Sequence, residues 1–595
     1  MNFRSTVEVR LCCLRMGEDQ AVTDHEREVL ADASLDEPWS LLEAFAEIVR
    51  EHPTEVNRAA DLLVGRLERH GIPVTVYEPE LYLSLPKDAE VRAAERSFRA
   101  KPPSASASAP DGIEAELYYV PAQFARGAED VFGTVSREAL RESDICGKIV
   151  LTEGFAMPAN VSQCEALGAV ALIAINPGQD IHWGTCTTIW GIPDLRSLER
   201  RPTIPAVAVN RPDGEELKAL ARAGERVTVT TLMEEGWFSS KLPVVTIPGS
   251  VEPERFVLLH GHYDSWDIGI GDNATGDATM LEVARVLWRY RNALRRSVRI
   301  AWWPGHSTGR YAGSTWFSDT FALDLEENCV AQVNCDSPGC RWATEYKNVS
   351  LMPETEAFAA RVIRDVSGQA LHAERPHRAG DYSFNNIGIS GYFMLLSTMP
   401  DDLRIQKGYY GVGGCGGNIA WHTENDRLKV ADRDVLLTDI KIYLLAVLRN
   451  ATAEVLPFDW RATALELSGT VERYQRAAGE HFDLSATRAA VDELRASLEA
   501  FYGAVESRAV AAADANDVIL ELARLLVPAN YTREPRFWHD PALTIPPLPD
   551  LSVATELGRY GEGELGFATT ELMRGQNRVV STLRQARRRV EGALP

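Results

Sequence analysis

The 595-residue chain has no run of eighteen or more apolar residues, which excludes a membrane-spanning helix. Positive charge is in deficit. Lysine plus arginine number 62 against 85 acids, a formal net charge of -23, which argues against nucleic acid or an anionic membrane surface as the main partner. Nine cysteines in so long a chain make neither a disulfide framework nor a paired zinc-ribbon spacing. Cys12 and Cys13 are adjacent and the others scattered, so reduced thiols are expected. The N-terminal segment MNFRSTVEVRLCCLRMGEDQ lacks a continuous apolar core and a small-residue cleavage site. A secretory signal is therefore not expected, a cytoplasmic location is, and Met16 is an alternative start. What is present, 45% hydrophobic and 25% charged residues, is ordinary for a globular protein, and the length predicts two to four domains.

Composition and periodicity divide the chain. Residues 1–30 read as an N-terminal extension. Leu41, Leu42, Phe45 and Ile48 recur at helical spacing, and residues 72–77 (IPVTVY) are strand-like. Residues 101–110 (KPPSASASAP) read as a low-complexity hinge with nothing apolar to bury. A region of short strands and turns follows over 111–239, including KIVL at 148–151 and an apolar run at 169–175 closed by Asn176-Pro177-Gly178. Beyond residue 240, buried strands are predicted at 256–259, 298–303, 330–333 and 392–396. A helix carrying Met280, Val283, Ala284 and Leu287 on one stripe lies between the first two. That alternation predicts an α/β mixed sheet with helices on both faces. From 456 to the end the patterns are helical only, for example over 485–513 and 569–594.

Three of the predicted strands end in polar, metal-competent residues: His260-Gly261-His262-Tyr263-Asp264, Pro304-Gly305-His306-Ser307 and Asn334-Cys335-Asp336. Ligands in open α/β sheets bind beyond the carboxyl ends of the strands, so these endings bring imidazoles and carboxylates to one edge. Such a mixture suits a borderline divalent ion such as zinc. Asp264, two residues from His262 along an extended segment, is placed to hold that imidazole in one tautomer. Asp272 precedes a predicted helix, where capping is the plainer reading.

These motifs resemble those of the co-catalytic-zinc peptidases, in particular the glutamate carboxypeptidase and transferrin receptor branch. GKIVL, ALGAVALIAIN, TTIWGIPD and IPAVAVN resemble its β-rich protease-associated insert, and LPFDW at 456–460 with the helical remainder resembles its dimerisation domain. The resemblance implies a peptidase domain over 31–110 and 240–455, the insert over 111–239, a helical dimerisation domain over 456–595, and a homodimer. It also implies that His262, Asp272 and Asp336 hold one metal and that Asp272 bridges to a second held by His422. Asp264 then orients His262. Zinc is the expected ion, one or two per chain, with manganese or iron as alternatives.

Two departures from the family pattern stand out. Active members carry a Glu-Glu pair after the second strand, the first as general base and the second as a ligand; here His306-Ser307 occupies that place. His306 is therefore read either as a ligand completing the Asp272 and His422 set or as the general base. The carboxypeptidases also carry a tyrosine before the last histidine, an oxyanion donor, where this chain has Trp421. Tyr409 or Tyr410 are candidate replacements. Gly411 to Asn418 reads as a surface loop or a lid, with Cys415 as a conceivable soft ligand. Arg375 and Arg378 are candidates to meet a substrate carboxylate.

The function expected is hydrolysis of an amide bond in a small peptide or N-acylated amino acid. The alternatives are other acyl or amide chemistry on the same chassis (cyclase-like or non-peptide amidase) and a non-catalytic dimeric binding protein.

Overall fold

The computed structural model describes residues 22–125, 131 and 137–595; Cys12, Cys13, Met16 and most of the expected N-terminal extension lie outside them. The central sheet is built from β1 (Val74–Tyr77), β2 (Leu242–Ile247), β3 (Glu252–His262), β4 (Arg296–Trp303), β5 (Cys329–Asn334) and β6 (Gly391–Tyr392). Their order across the sheet is β1-β2-β4-β3-β5-β6. The β4, β3, β5 and β6 neighbours are parallel, and β1 and β2 run antiparallel at one edge. Side chains alternate along β3: Val257 and Leu259 join the large core on one face, whereas Phe256 and Leu258 join Trp303, Phe317 and Phe384 on the other. All four are fully buried, and each such side chain contributes about 1.5–3 kcal/mol.

Helices cover both faces, as the alternation of strands and helices predicts. On one side pack α1 (Asp36–Phe45), α2 (Pro53–Arg69), α3 (Thr275–Arg289) and α4 (Arg433–Thr452). Helix α2 begins at a proline, with the His52 imidazole accepting from Thr54 N. Helix α4 is capped by Asp432, whose carboxylate accepts from Asp434 N and Val435 N. Before them, Thr23 makes a capping box with Glu26 at the start of a helix over Asp24–Ala31.

The second sheet has seven strands and takes in Glu80–Ala93 and Arg96–Arg99, N-terminal of the boundary expected at residue 111. The 101–110 segment is not a solvated hinge. Lys101, Ser104 and Ser106 are buried, and the Ser104 hydroxyl donates to the carbonyls of Ser84 (2.8 Å) and Thr308 (2.9 Å). Serine hydroxyls here replace water as backbone partners, which composition alone does not register.

The strand expected over 392–396 stops at Tyr392, because Phe393 takes a left-handed φ of 62° that ends the pairing. The C-terminal region is helical: α5 (Trp460–Ala478), α6 (Ser485–Glu506), α7 (Ala512–Tyr531) and α8 (Glu562–Gly592). The single helix expected over 485–513 is two, parted at Arg508, whose φ is 60°. The seven described cysteines are all free thiols, and among the described residues no helix is long and apolar enough to cross a membrane.

Candidate metal and catalytic site

The carboxyl ends of β4, β3 and β5 lie side by side, with His262 paired to Trp303 and His260 to Asn334. This register puts His262 at the middle of the edge, His306 on the loop leaving β4 and Asp336 two residues beyond β5. The loop after β3 is held from below by Arg50, fully buried, whose guanidinium donates to the carbonyls of Tyr263 (2.8 Å) and Gly269 (2.9 Å). Asn273 stitches the edge together, donating to the carbonyls of His262 (3.1 Å) and Cys335 (2.9 Å) and accepting from Ser337 N (2.9 Å). Asp426 accepts from Gly271 N (2.7 Å) and Asp272 N (3.0 Å), and burial pushes its carboxyl up to about 7.

Three imidazoles share one arrangement. His262 Nδ1 lies 2.9 Å from the main-chain carbonyl of Asp264, His422 Nδ1 3.1 Å from that of Trp183, and His306 Nδ1 2.8 Å from Asp381 Oδ2. Each Nδ1 has an acceptor in reach, and in the neutral tautomer that donates through Nδ1–H the Nε2 lone pair is free to meet a cation. Asp272 stands between two of them, with Oδ1 3.0 Å from His262 Nε2 and Oδ2 3.0 Å from His422 Nε2. Asp336 Oδ2 is 3.7 Å from His262 Nε2. The rings of His262 and His306 stack at 3.7 Å, and His262, His306 and Asp336 each offer a donor atom within 4.8 Å of the others. Burial raises the cost of charge on Asp272, yet the neighbouring imidazoles of His262 and His422 hold it well below the usual carboxylate range.

The donors fit a divalent cation. His262 Nε2 and Asp272 Oδ1 are both buried without a hydrogen-bond partner, and buried orphan acceptors facing one another are what a metal ion relieves.

Several predicted residues lie otherwise than the sequence suggests. The Asp264 carboxylate does not orient His262, being 3.9 Å from Nδ1; it accepts instead from His306 N (3.0 Å) and Ser307 N (2.8 Å). The free N–H groups at the start of the 306–309 turn draw it away, and the Asp264 carbonyl takes the imidazole. His306 groups with His262 and Asp336, not with Asp272 and His422 as the ligand reading expects. Tyr410 is not at the reaction edge: its hydroxyl meets His182 Nε2 (2.8 Å), and it packs with Trp421 behind the cavity. Arg378 is engaged, its guanidinium donating to the carbonyls of Asp540 (2.8 Å), Tyr382 (3.3 Å) and Pro541 (3.5 Å) while lying over the Trp190 ring. Arg375 is likewise committed, to Glu466 (2.9 Å) and the Asn530 carbonyl (2.6 Å). Trp421 does line the cavity and stacks on His422 at 3.7 Å. The glycine-rich loop packs against it, and Cys415 there turns to Asp426 (3.5 Å).

Sequence reasoning missed Asp381, which also accepts from Ser314 Oγ (2.8 Å), and the part taken by the second sheet's connections. Trp183 N donates to the His422 carbonyl (2.9 Å), Thr185 Oγ1 to that of Ser307 (3.0 Å) and Gly191 N to that of Arg310 (2.7 Å). The cleft among these loops has an empty volume of about 700 Å³, mouth included.

Residues 244–446 match the model of "Peptidase family M28". The chain carries a peptidase family M28 domain. Parts of the chain are also similar to curated relatives. These include the "Probable glutamate carboxypeptidase VP8" of Zea mays, 28% identical over 240 residues, 37% of this chain and 32% of that one. They also include the "Probable glutamate carboxypeptidase LAMP1" of Arabidopsis thaliana, 23% identical over 314 residues, 49% and 44% of the two chains. "Carboxypeptidase Q" of Bos taurus is 29% identical over 138 residues, 21% and 29% of the two chains. The chain thus spans less than half the length of these relatives. Among solved structures, the zinc aminopeptidase BSAP of Bacillus subtilis superposes with a TM-score of 0.53 at 18% identity, covering 71% of this chain and 96% of that one. The "Peptidase M28 precursor" of Shewanella amazonensis SB2B gives 0.52 at 15%, covering 73% and 97%. These likenesses show the M28 fold.

Proposed function

We propose that the chain hydrolyses an amide bond in a small peptide or N-acylated amino acid. His262, Asp272, Asp336 and His422 hold zinc in this reading, and His306 is the proton acceptor where the family resemblance places a glutamate. Manganese or iron also suits the same nitrogen and oxygen donors. The observation that carries the reading is the set of three imidazoles with Nδ1 tied and Nε2 bare around Asp272. Zinc, when bound, supplies Lewis acidity toward the scissile carbonyl and acidifies water.

The remaining work falls to the chain. His306 Nε2 takes the proton of the attacking water and returns it to the leaving amine, while Asp381 keeps Nδ1–H engaged and stabilises the imidazolium. Asp264 fixes the loop that presents His306. Asp272 and His422 alone are too few donors for a second tight position, since catalytic zinc takes three protein ligands, so one tightly held ion per chain is expected. The grouping of His306 with His262 and Asp336 supports a second reading, in which Nε2 is a further ligand. Dimerisation through the helical C-terminal region belongs to the same proposal, and sedimentation tests it.

The test is a screen of dipeptides and N-acyl amino acids with zinc-loaded and chelator-treated protein. Turnover that chelation abolishes and zinc restores is the expected result. No turnover of any amide by protein carrying zinc would overturn the reading.

A further inference from the structure

Arg310 is the one guanidinium on the cavity wall that the fold leaves without a partner among the described residues. Its side chain lines the same cavity as Asp272, His306 and Asp336, and the residue is only 7% exposed. Its Nε is buried with no hydrogen-bond acceptor, and its only recorded side-chain contact is with the ring of Tyr311, 4.8 Å from the guanidinium carbon. A guanidinium keeps its charge at any physiological pH, so burying one without an anion is costly and the fold gains nothing visible from it. Arg375 and Arg378 make the contrast: both are spent on carbonyls or a carboxylate of the protein itself.

The backbone presents Arg310 rigidly. Arg310 and Tyr311 both take left-handed conformations, φ 46° and 76°, which cost energy for side chains of this kind and concentrate at functional sites. Gly191 N donates to the Arg310 carbonyl at 2.7 Å, and Ser104 Oγ to that of Thr308 at 2.9 Å, so the turn is fastened from the second sheet. Tyr311 in turn meets the His306 ring edge-on at 4.7 Å. A group seated on Arg310 is therefore separated from His306 by a single aromatic ring.

We propose that Arg310 binds the free carboxylate of the substrate residue next to the scissile amide, so that the enzyme acts on anionic peptides or N-acyl amino acids. The planar fork of donors suits a carboxylate bidentately, and among the described residues no acidic side chain pairs with it. This inference rests on the proposed amide hydrolysis and names the substrate class for it.

The test compares each hydrolysed substrate with its C-terminal carboxamide, in wild type, Arg310→Gln and Arg310→Lys. A site built around a charged hydrogen-bonding partner rejects the analogue that lacks it, so kcat/KM should favour the free acid by about 100-fold or more in wild type. The ratio should fall toward one in Arg310→Gln and to an intermediate value in Arg310→Lys, which keeps the charge but loses the fork. Equal use of acid and carboxamide by the wild type would overturn the proposal and leave amide hydrolysis standing, a result that needs no variant to fold.

Calorimetry of zinc-loaded protein with N-acetyl-L-leucine and N-acetyl-L-leucinamide supplies a readout independent of turnover. Binding of the acid but not the amide, lost in Arg310→Gln at unchanged zinc content, supports the proposal even if no substrate is cleaved. Acid binding that survives in Arg310→Gln places the carboxylate on the metal and overturns it, as does absence of binding to wild type.

Discussion

His306 Nδ1 and Asp381 Oδ2 lie 2.8 Å apart across seventy-five positions of sequence. Asp381 is fully buried, and although burial disfavours its charge, the imidazole of His306 holds its carboxyl below the usual range. Ser314 donates to its other oxygen at 2.8 Å, so the carboxylate cannot turn away from the ring. The pair has the form by which an oriented imidazole carries protons in hydrolases of several folds.

Asp381→Asn replaces a fixed anion by a neutral amide that can present a donor to Nδ1. Loss of such an orienting partner costs about 10–100-fold in activity, and kcat should fall by that much with zinc content unchanged. Steady-state kinetics with elemental analysis of the same preparation checks it, and an unaltered kcat would contradict the role given to Asp381.

His306→Gln separates the two readings of His306. As proton acceptor, its loss should lower kcat by about 10²–10⁴-fold and leave the ion in place. As a ligand, its loss should weaken zinc retention against a graded chelator. The account expects the first pattern.

The fold was legible where burial is continuous. Residues 256–259, 298–303 and 330–333 read as strands because their apolar runs are covered on both faces, and each is a strand of the central sheet. Legibility failed where a backbone angle or a hydroxyl decides. Phe393 ends β6 through a left-handed φ, Arg508 divides α6 from α7, and Ser104 and Ser106 bury a segment whose composition reads as linker.

At the site, His262 and Asp336 stand at strand ends that the apolar runs mark, whereas Asp272 and His422 were singled out only by the family resemblance; the structure brings the four side chains together. Asp381 was not legible, because its partner is remote in sequence and Gly380-Asp381-Tyr382 carries no spacing signal. Nor was Arg310, which among the described residues has no hydrogen-bond acceptor for its buried Nε. Asp264 was read in the right place with the wrong atom: its carbonyl, not its carboxylate, meets His262.

Tyr410→Phe tests whether that hydroxyl takes part in the reaction. Because the hydroxyl meets His182 behind the cavity, its removal should cost about 1 kcal/mol of stability without a specific loss of kcat. A large fall in kcat with stability unchanged would restore Tyr410 to the reacting edge.

Asp439, far from the ligands in sequence and fully buried, accepts from Gly339 N (2.8 Å), Ser397 Oγ (2.6 Å) and Tyr346 OH (3.1 Å). Burial still raises its carboxyl to about 6. Between the unfolded value near 4 and that value the native state holds more protons than the unfolded one, so this group's contribution falls as pH rises through the window. The loss is on the order of 3 kcal/mol and complete above about pH 7. Denaturation of wild type and Asp439→Asn at pH 4.5 and 7 should show the difference between the two proteins shrinking at the higher pH. A constant difference would contradict the assignment.

The most direct measurement is metal content per chain, by elemental analysis of protein purified without added metal or chelator. The account predicts about one tightly held equivalent of zinc, manganese or iron, lost when His262 and Asp272 are replaced together by alanine. Protein that carries no metal, and takes up none on dialysis against zinc, would contradict it.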